Sequence, residues 1–375
     1  MPRAGPSRYI GAARRLLYAA HAMPANLSPE YKKAEQAFRM AQEARERLEC
    51  LKEMLRTIPK HKGTEHIQAD IKSRMRQLTD ELNTPHKGPA RTDAAHSVRR
   101  EGAGQVCLVG PPNSGKSRLH GILTGSKAAV GPFPYTTREP LPGMLPFEDV
   151  AFQLVDLPPI SAERMEPWVA GLLEMADAAW LVVDLADPAC AEDLISIRAQ
   201  LGQRRITLSE YWPDFRVEPT GALQPHTEAA DAPGAESVPD PFRAQLPTLL
   251  VASKSDLDPH PEEAQVLEEL TGVRFPVIAC SAKTGQGLDR LAQFLFASLQ
   301  IVRVYTKLPG QAADRNRPFT VHRGDTVLDV ARLVHQDVAR TLKFARLWGS
   351  AAFAGQQVGP GHRLADGDIV ELHAK

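Results

Sequence analysis

The segment that most restricts the fold of this chain is residues 110–117, which read G-P-P-N-S-G-K-S. The run fits the pattern G-x-x-x-x-G-K-[ST], follows an apolar, strand-like segment at 105–109 and opens a helical pattern. Backbone N–H groups of such a loop surround phosphates, and the helix N-terminus adds partial positive charge. The run predicts a phosphate-binding loop with these nucleotide-binding residues: Gly110, Asn113, Ser114, Gly115, Lys116 and Ser117. Lys116 is the predicted catalytic cation, because this lysine reaches the β- and γ-phosphates.

Short apolar runs alternate with amphipathic segments on both sides of this loop. Strands are predicted at 105–109, 150–155, 178–183, 248–252 and 275–280. This alternation is typical of a parallel sheet covered by helices on both faces. The predicted fold class is therefore α/β, with a P-loop domain over residues 105–300.

A magnesium site is predicted beside the loop. Asp156 ends the strand 150–155 and lies 39 positions after Ser117, whose hydroxyl is the expected direct ligand. Thr137 is predicted to close over the metal and the γ-phosphate as a switch, with both a metal and a catalytic role, and Thr136 is the alternative. Asn113 is a candidate K⁺ ligand, although asparagine is also a common loop-forming residue.

Two further elements indicate which base is bound. Ser253-Lys254-Ser255-Asp256 follows one strand, and Ser281-Ala282-Lys283 follows the next. Each short pattern is weak alone. In this order, and each after its own strand, they predict guanine binding by Ser253, Lys254, Asp256, Ser281, Ala282 and Lys283, and they argue against ATP.

Composition divides the rest of the chain. Residues 1–29 hold four arginines and no acidic residue, which suggests either a transit peptide or an unstructured, mis-annotated start before Met23. Apolar stripes predict a helical hairpin over 30–83, and residues 84–104 read as a linker. Residues 210–241 carry seven acidic side chains among many Pro, Ala and Gly, which predicts a disordered acidic insertion. A small α+β domain is predicted over 301–375.

Charge is distributed unevenly, although the chain is neutral overall. Residues 1–100 carry a net charge of +9, residues 101–300 carry −13 and residues 301–375 carry +4. Basic ends are typical of modules that approach a polyanion, and a solvated surface is the alternative. The absence of a long apolar run predicts no membrane partner, and four widely spaced cysteines favour a cytoplasmic location.

These residues together resemble the Obg superfamily of GTPases, and within it the developmentally regulated GTP-binding (DRG) family. Three segments carry the resemblance: the basic helical turn at 56–66, the ordered GTPase motifs, and the tail at 302–310 with Leu347-Trp348-Gly349. The tail is similar to the TGS domain, a ubiquitin-like β-grasp. The resemblance implies a cytoplasmic GTPase that uses Mg²⁺ and associates with ribosomes in translation. It also implies RNA contacts at Lys60, Lys62, Arg303 and Lys307, and a stabilising protein partner.

The sequence departs from that family in the switch region. The family's D-x-P-G becomes Asp156-Leu157-Pro158-Pro159, so a backbone N–H expected at the γ-phosphate is missing. Ile160 stands where some small GTPases keep a water-orienting glutamine. Ser253 replaces the usual asparagine, and the acidic insertion replaces an additional folded domain.

Two activities therefore follow from the sequence. The first is slow, Mg²⁺-dependent GTP hydrolysis, with K⁺ as a second candidate cofactor, coupled to ribosome or rRNA association. The second is a guanine-nucleotide-binding scaffold with blunted hydrolysis, which Pro159 favours. A stress sensor is a weaker third reading, because TGS domains also occur in alarmone synthetases and the chain shows no nucleotidyl-transferase motif.

Overall fold

The computed structural model describes residues 28–41, 44–59, 64–83, 96–126, 139–212, 215–217, 223–225, 243–257, 263–315 and 317–374. The chain divides into two compact units, residues 1–89 with 227–243, and residues 90–226 with 244–375. In the described parts of both units, no helix is long and apolar enough to cross a membrane.

The first unit is built from the helices α1 (Pro29–Met40), α2 (Ala44–Thr57) and α3 (Glu65–Asn83). Ser28 caps α1 by accepting the Tyr31 N–H at 3.1 Å, and Pro29 at the first turn favours this start. Buried apolar residues from all three helices form one core, which includes Tyr31, Leu51 and Ile71. The sequence predicted a hairpin of two helices over residues 30–83. In the structure α1 ends before Ala41, whose backbone is extended, so a separate helix packs on the predicted pair.

The larger part of the second unit is an α/β layer structure. Its helices and strands, in chain order, are β1 (Gln105–Val109), α4 (Lys116–Thr124), β2 (Leu141–Phe147), β3 (Val150–Asp156), α5 (Pro167–Met175), β4 (Ala178–Asp184), α6 (Cys190–Gln203), β5 (Ile206–Ser209), β6 (Phe215–Val217), β7 (Leu223–Pro225), β8 (Ala244–Ser253), α7 (Glu263–Thr271), β9 (Val277–Ala279) and α8 (Leu288–Ser298).

The main sheet has the strand order β2-β3-β1-β4-β8-β5, and β9 pairs with the later half of β8. All its pairings are parallel except β2 with β3. Alternate residues of the central strands enter different cores. Cys107 and Leu181 pack with α5, α6 and α7, whereas Leu108 and Trp180 pack with α4 and α8. The α/β prediction is confirmed, and so are the five predicted strands.

Two strands of the main sheet were not predicted from the sequence. β2 contains Pro142 and Pro146, which lowered its predicted strand propensity. Proline is tolerated there because β2 lies at the edge of the sheet, where a missing N–H breaks fewer ladder bonds. β5 is only four residues long and lies at the other end of the strand order.

The described part of the predicted acidic insertion has defined structure, which corrects the expectation of disorder there. Trp212 is fully buried, its ring meets Phe294 edge-on at 5.0 Å, and its indole N–H donates to the Thr248 carbonyl at 3.3 Å. β6 and β7 pair as a short antiparallel ribbon. A large aromatic surface packed on α8 anchors the segment despite its polar composition.

The predicted linker 84–104 also differs from expectation in its described part. The His96 ring stacks on Trp168 with centroids 4.5 Å apart. Arg100 forms an ion pair with Asp177 at 2.5 Å, and the same carboxylate accepts the Gln105 N–H at 2.8 Å. Residues 96–104 are therefore an entry segment packed on the main sheet.

A five-stranded sheet of order β11-β10-β14-β12-β13 completes the second unit. Its elements are β10 (Ile301–Thr306), β11 (Phe319–His322), α9 (Val327–Val334), α10 (Gln336–Thr341), β12 (Leu342–Trp348), β13 (Gln356–Val358) and β14 (Asp368–Ala374). A capping box between Thr326 and Asp329 starts α9. The helices α9 and α10 are separated at His335, whose backbone is extended. Central β10 and β14 run parallel, as in a β-grasp.

Arg303 joins the two sheets of this unit. Its guanidinium contacts Asp366 at 2.6 Å, Glu148 at 2.5 Å and Asp149 at 3.1 Å, and Tyr305 also donates to Asp149. We call this cluster the domain joint. Burial alone raises the pKa of Asp149, but hydrogen bonds from Tyr305 and Arg303 outweigh it and hold that pKa below its usual value.

Candidate nucleotide-binding site

The loop between β1 and α4 has a backbone that depends on its residue types. A Cβ atom at Gly110 would lie 2.2 Å from the Val182 carbonyl oxygen, so this position admits only glycine. Asn113 and Gly115 have left-handed backbones with φ of 61° and 90°. Asparagine tolerates that conformation better than most side chains. The loop thus turns its chain tightly into the N-terminus of α4, a geometry suited to anion binding.

Lys116 is buried inside this loop. Its ammonium donates to the carbonyl oxygens of Gly110 at 2.9 Å and Pro111 at 2.7 Å, and lies 3.4 Å from the Ser114 hydroxyl. Burial lowers the pKa of Lys116 to about 8, although the negative charge of Asp156 acts in the opposite direction. The loop therefore concentrates a cation and backbone N–H groups at one place.

Ser117 and Asp156 form a pair of oxygen ligands at the end of β3. The Ser117 hydroxyl donates to Asp156 Oδ2 at 2.6 Å, and Asp156 is completely buried. Parallel pairing of β1 with β3 places Asp156 opposite Leu108, just before the loop. His120 adds a bond between α4 and the Leu154 carbonyl at 3.3 Å. Hydroxyl and carboxylate oxygens are the donors that Mg²⁺ prefers, so these residues fit that ion.

The chain after Asp156 is packed into the core. Leu157 and Ile160 have at most 1% of their surface exposed and belong to the cluster under α5. The Ile160 N–H donates to the Gly110 carbonyl at 3.1 Å, which is the carbonyl that also accepts from Lys116. Pro159 has no N–H to offer, and the next amide along the chain is fixed to the phosphate-binding loop.

Ser253 links the predicted base element to the phosphate-binding loop. Its hydroxyl donates to the Ser114 carbonyl at 2.6 Å and lies 3.0 Å from the Val183 carbonyl. Lys254 follows with a left-handed backbone, φ 58°, and pairs with Asp184 at 2.8 Å. The sequence analysis did not single out Asp184. It ends the apolar run of β4, and the carboxyl ends of parallel strands share one edge of a sheet, which is the signal that would have found it.

Asp256 and Ser281 meet because β8 and β9 are neighbours. The Ser281 hydroxyl donates to Asp256 Oδ1 at 2.6 Å, and the Lys283 ammonium lies 3.5 Å from Oδ2. The bond from Ser281 is the main reason that the pKa of Asp256 is lowered. Ser281 also accepts the N–H groups of Lys283 and Thr284 at 3.2 Å, with Ala282 inside this turn. The carboxylate is therefore ionised and held in place.

Comparisons with known proteins agree with this arrangement. Residues 105–210 match a family described as "50S ribosome-binding GTPase", and residues 302–374 match the TGS domain. An uncharacterised GTP-binding protein of Methanocaldococcus jannaschii is 26% identical over 88% of this chain and 93% of its own length. Developmentally-regulated G-protein 2 of Arabidopsis thaliana is 27% identical over 86% of this chain and 89% of its own length. Over nearly nine-tenths of its length the chain is thus similar to proteins named as developmentally regulated GTP-binding proteins.

Two further similarities complete the comparison. The human developmentally-regulated GTP-binding protein 2 is 24% identical over 87% of this chain and 98% of its own length. A solved GTP-binding protein from Pyrococcus horikoshii OT3 aligns with 72% of this chain and all of its own length, at 19% identity and a TM-score of 0.47. The two family matches place a GTPase domain before a TGS domain in the chain.

Some predicted site residues are not part of this arrangement. Thr136 and Thr137, and the lysines Lys60 and Lys62, lie outside the described residues. Arg303, predicted to contact RNA, is instead enclosed by three carboxylates in the domain joint. Lys307 pairs with buried Glu371 at 3.4 Å and lies 3.9 Å from the Trp348 ring centroid. Intramolecular partners neutralise both cations, so the RNA contact predicted for them is withdrawn.

Proposed function

We propose that the chain binds GTP with Mg²⁺, hydrolyses it slowly, and couples its nucleotide state to association with a ribosome or rRNA. The observation that carries this proposal is the bond from Ser253 to Ser114. It joins the base-recognition element to the phosphate-binding loop, so that one nucleotide spans both. Family membership supports the same activity.

Base selection rests on Asp256. An ionised carboxylate accepts two hydrogen bonds from the N1 and N2 groups of guanine, and adenine offers no such pair of donors. Ser281 holds one oxygen at 2.6 Å and lowers the pKa, which keeps Asp256 an acceptor. Ser281, Ala282 and Lys283 form the turn beside it and are proposed to contact the base.

Phosphate binding rests on Lys116 and the N-terminus of α4. Lys116 exchanges its bonds to loop carbonyls for bonds to phosphate oxygens, and that negative charge favours its protonated form. Ser117, Asp156 and Thr137 are the residues that would hold Mg²⁺. The bound ion supplies neutralisation of charge on the phosphates. Catalysis then consists of charge stabilisation by fixed groups.

Hydrolysis is proposed to be slow because two residues after Asp156 lack the groups that would contact the γ-phosphate or orient water. Pro159 offers no N–H to the γ-phosphate, and Ile160 is buried with an apolar side chain that cannot orient water. Asn113 is proposed to hold K⁺ near the phosphates, where the ion would add positive charge. The left-handed backbone of Asn113 supports either this role or a purely loop-forming one.

A second candidate function is a guanine-nucleotide-binding scaffold with blunted hydrolysis. The observation that favours it is the fixed Ile160 amide, 3.1 Å from the Gly110 carbonyl. Under this alternative, partners bind irrespective of nucleotide. Pro159→Gly separates the two functions, because a large gain in turnover means that the native chain is blunted, whereas unchanged turnover means that the contact is dispensable.

Ribosome or rRNA association is proposed from the family and from the basic N-terminal region, and a cytoplasmic location accompanies it. With Arg303 and Lys307 engaged internally, Lys60 and Lys62 remain the proposed RNA contacts. Such contacts predict that affinity falls steeply with salt.

The test combines nucleotide selectivity with co-sedimentation. Affinities for GTP, ATP and xanthosine triphosphate are measured for the wild type and for Asp256→Asn, whose amide would suit the extra carbonyl of xanthine. We expect GTP selectivity in the wild type and a shift toward xanthosine triphosphate in the variant. Equal affinity of the wild type for ATP and GTP contradicts the base assignment.

Ribosome binding is then measured with a GTP analogue, with GDP and without nucleotide, at two salt concentrations. Stronger, salt-sensitive binding with the analogue supports coupling. Equal binding in all states supports the scaffold, and no binding in any state removes the ribosome proposal while leaving the nucleotide site intact.

A further inference from the structure

The helices α2 and α3 leave an open groove on the surface of the first unit. Leu55 on α2 and Lys72, Met75, Arg76 and Thr79 on α3 line it, and its volume is about 330 Å³. We call it the hairpin groove. It lies within one compact unit and is separate from every residue assigned to nucleotide binding.

The groove has an apolar floor. Leu55 and Met75 are only partly buried, although both pack against the core of the unit. Methionine is flexible and polarisable, so it adapts its shape to an inserted side chain. A volume of this size accepts bulky apolar groups.

The rim of the groove is cationic. Lys72 and Arg76 are exposed and stand one helical turn apart, where like charges destabilise a helix slightly. Among the described residues, neither has a carboxylate within ion-pairing distance. The cations of α2 differ in this respect, because Lys52 pairs with Glu49 at 2.7 Å and Arg56 pairs with Glu53 at 2.5 Å.

An apolar floor beside two exposed cations favours an amphipathic, acidic ligand. RNA would satisfy Lys72 and Arg76, but Leu55 and Met75 offer no aromatic ring on which a base could stack. A peptide helix matches both the apolar floor and the cationic rim, because an apolar residue and carboxylates one turn away from it lie on the same face of the helix.

We infer that the hairpin groove binds an acidic amphipathic helix of a partner protein, with a bulky apolar side chain between Leu55 and Met75 and carboxylates on Lys72 and Arg76. This interaction goes beyond the proposed nucleotide and ribosome functions and does not depend on them.

The test uses the full chain and a fluorescein-labelled helical peptide of 16 residues that repeats leucine with glutamate one turn before and after it. Fluorescence anisotropy measures its affinity for the wild type, for Lys72→Ala with Arg76→Ala, and for Lys52→Ala with Arg56→Ala. The second pair is the matched control, because it removes the same charge from α2. Circular dichroism verifies that each variant keeps its helices.

We expect micromolar binding that falls at least tenfold in the Lys72/Arg76 variant and less than twofold in the control. Met75→Ser should weaken the peptide at least fivefold and leave binding of a ten-residue uridine oligonucleotide unchanged. Absence of peptide binding, equal losses in the two charge variants, or insensitivity to Met75→Ser would each overturn the inference. Occupation of the groove by a second copy, seen as Lys72-dependent dimerisation, would overturn it as well.

Discussion

Replacing Arg303 by methionine tests the account of the domain joint. Methionine retains much of the aliphatic stem and removes the guanidinium, whose carbon lies 4.9 Å from the centroid of the Phe296 ring. The exposed bond to Glu148 counts for little, because 57% of that side chain is in solvent. The bonds to Asp149 and Asp366 are charge-assisted and better shielded, since the Arg303 side chain is only 19% exposed.

The expected loss is about 2–4 kcal/mol, from a few charge-assisted bonds and two carboxylates left without their partner. For a unit of this size that corresponds to a fall in Tm of roughly 5–10 °C. Differential scanning calorimetry of the full chain measures it. The fall should shrink in 0.5 M NaCl, because salt screens partly exposed charges.

The control is Arg340→Met, which removes a cation that is 75% exposed and 4.0 Å from Asp337. We expect a Tm change within about 1–2 °C for this control. If Arg303→Met changes Tm no more than Arg340→Met does, the joint does not stabilise the second unit and the argument is refuted.

Four further outcomes follow from the structure. Carboxylates with lowered pKa stabilise the fold above their unfolded pKa and lose this effect as pH falls through the folded pKa, so the difference between wild type and Arg303→Met should shrink below about pH 4 in acid titrations. The pKa of Lys116 is lowered to about 8, so the nucleotide-free wild type should gain stability relative to Lys116→Met as pH rises from 8 to 10 in urea unfolding. Ser253→Ala should weaken GTP and GDP about tenfold in calorimetry, because two buried carbonyls lose their hydroxyl partner. Turnover should be faster in KCl than in NaCl and this difference should vanish in Asn113→Ala; equal wild-type rates in both salts would remove the K⁺ proposal.

The sequence was sufficient for the parts of the fold that depend on local patterns. The loop at 110–117 has fixed spacing, and the central strands are continuous apolar runs, so both could be predicted without knowledge of distant contacts. Composition was misleading about disorder where a single large aromatic residue is buried. Trp212 is fully buried, although residues 210–241 together have the composition of a disordered segment.

Some hydrogen-bond and ion-pair partners could not be predicted because they lie far apart in the sequence. Nothing near Arg303 in the sequence reveals that Glu148 and Asp149, about 155 positions earlier, neutralise it. The bond between the Ile160 amide and Gly110 likewise depends on parallel pairing of β1 and β3. Sequence patterns predicted the residues of the candidate site, whereas the hydrogen-bond partners of these residues required the folded chain.

Strand β3 has one end at the candidate magnesium site and the other at the domain joint. Asp156 is the last residue of the strand. The turn residues Glu148 and Asp149 come just before its first residue, Val150. Arg303 of β10 donates hydrogen bonds to both turn residues, and Tyr305 of β10 donates to Asp149. Seven extended residues span about 20 Å and resist stretching, because their backbone is already near full length. A displacement of Asp156 along the strand axis would therefore be transmitted along the extended backbone of β3 to the residues that contact the TGS domain.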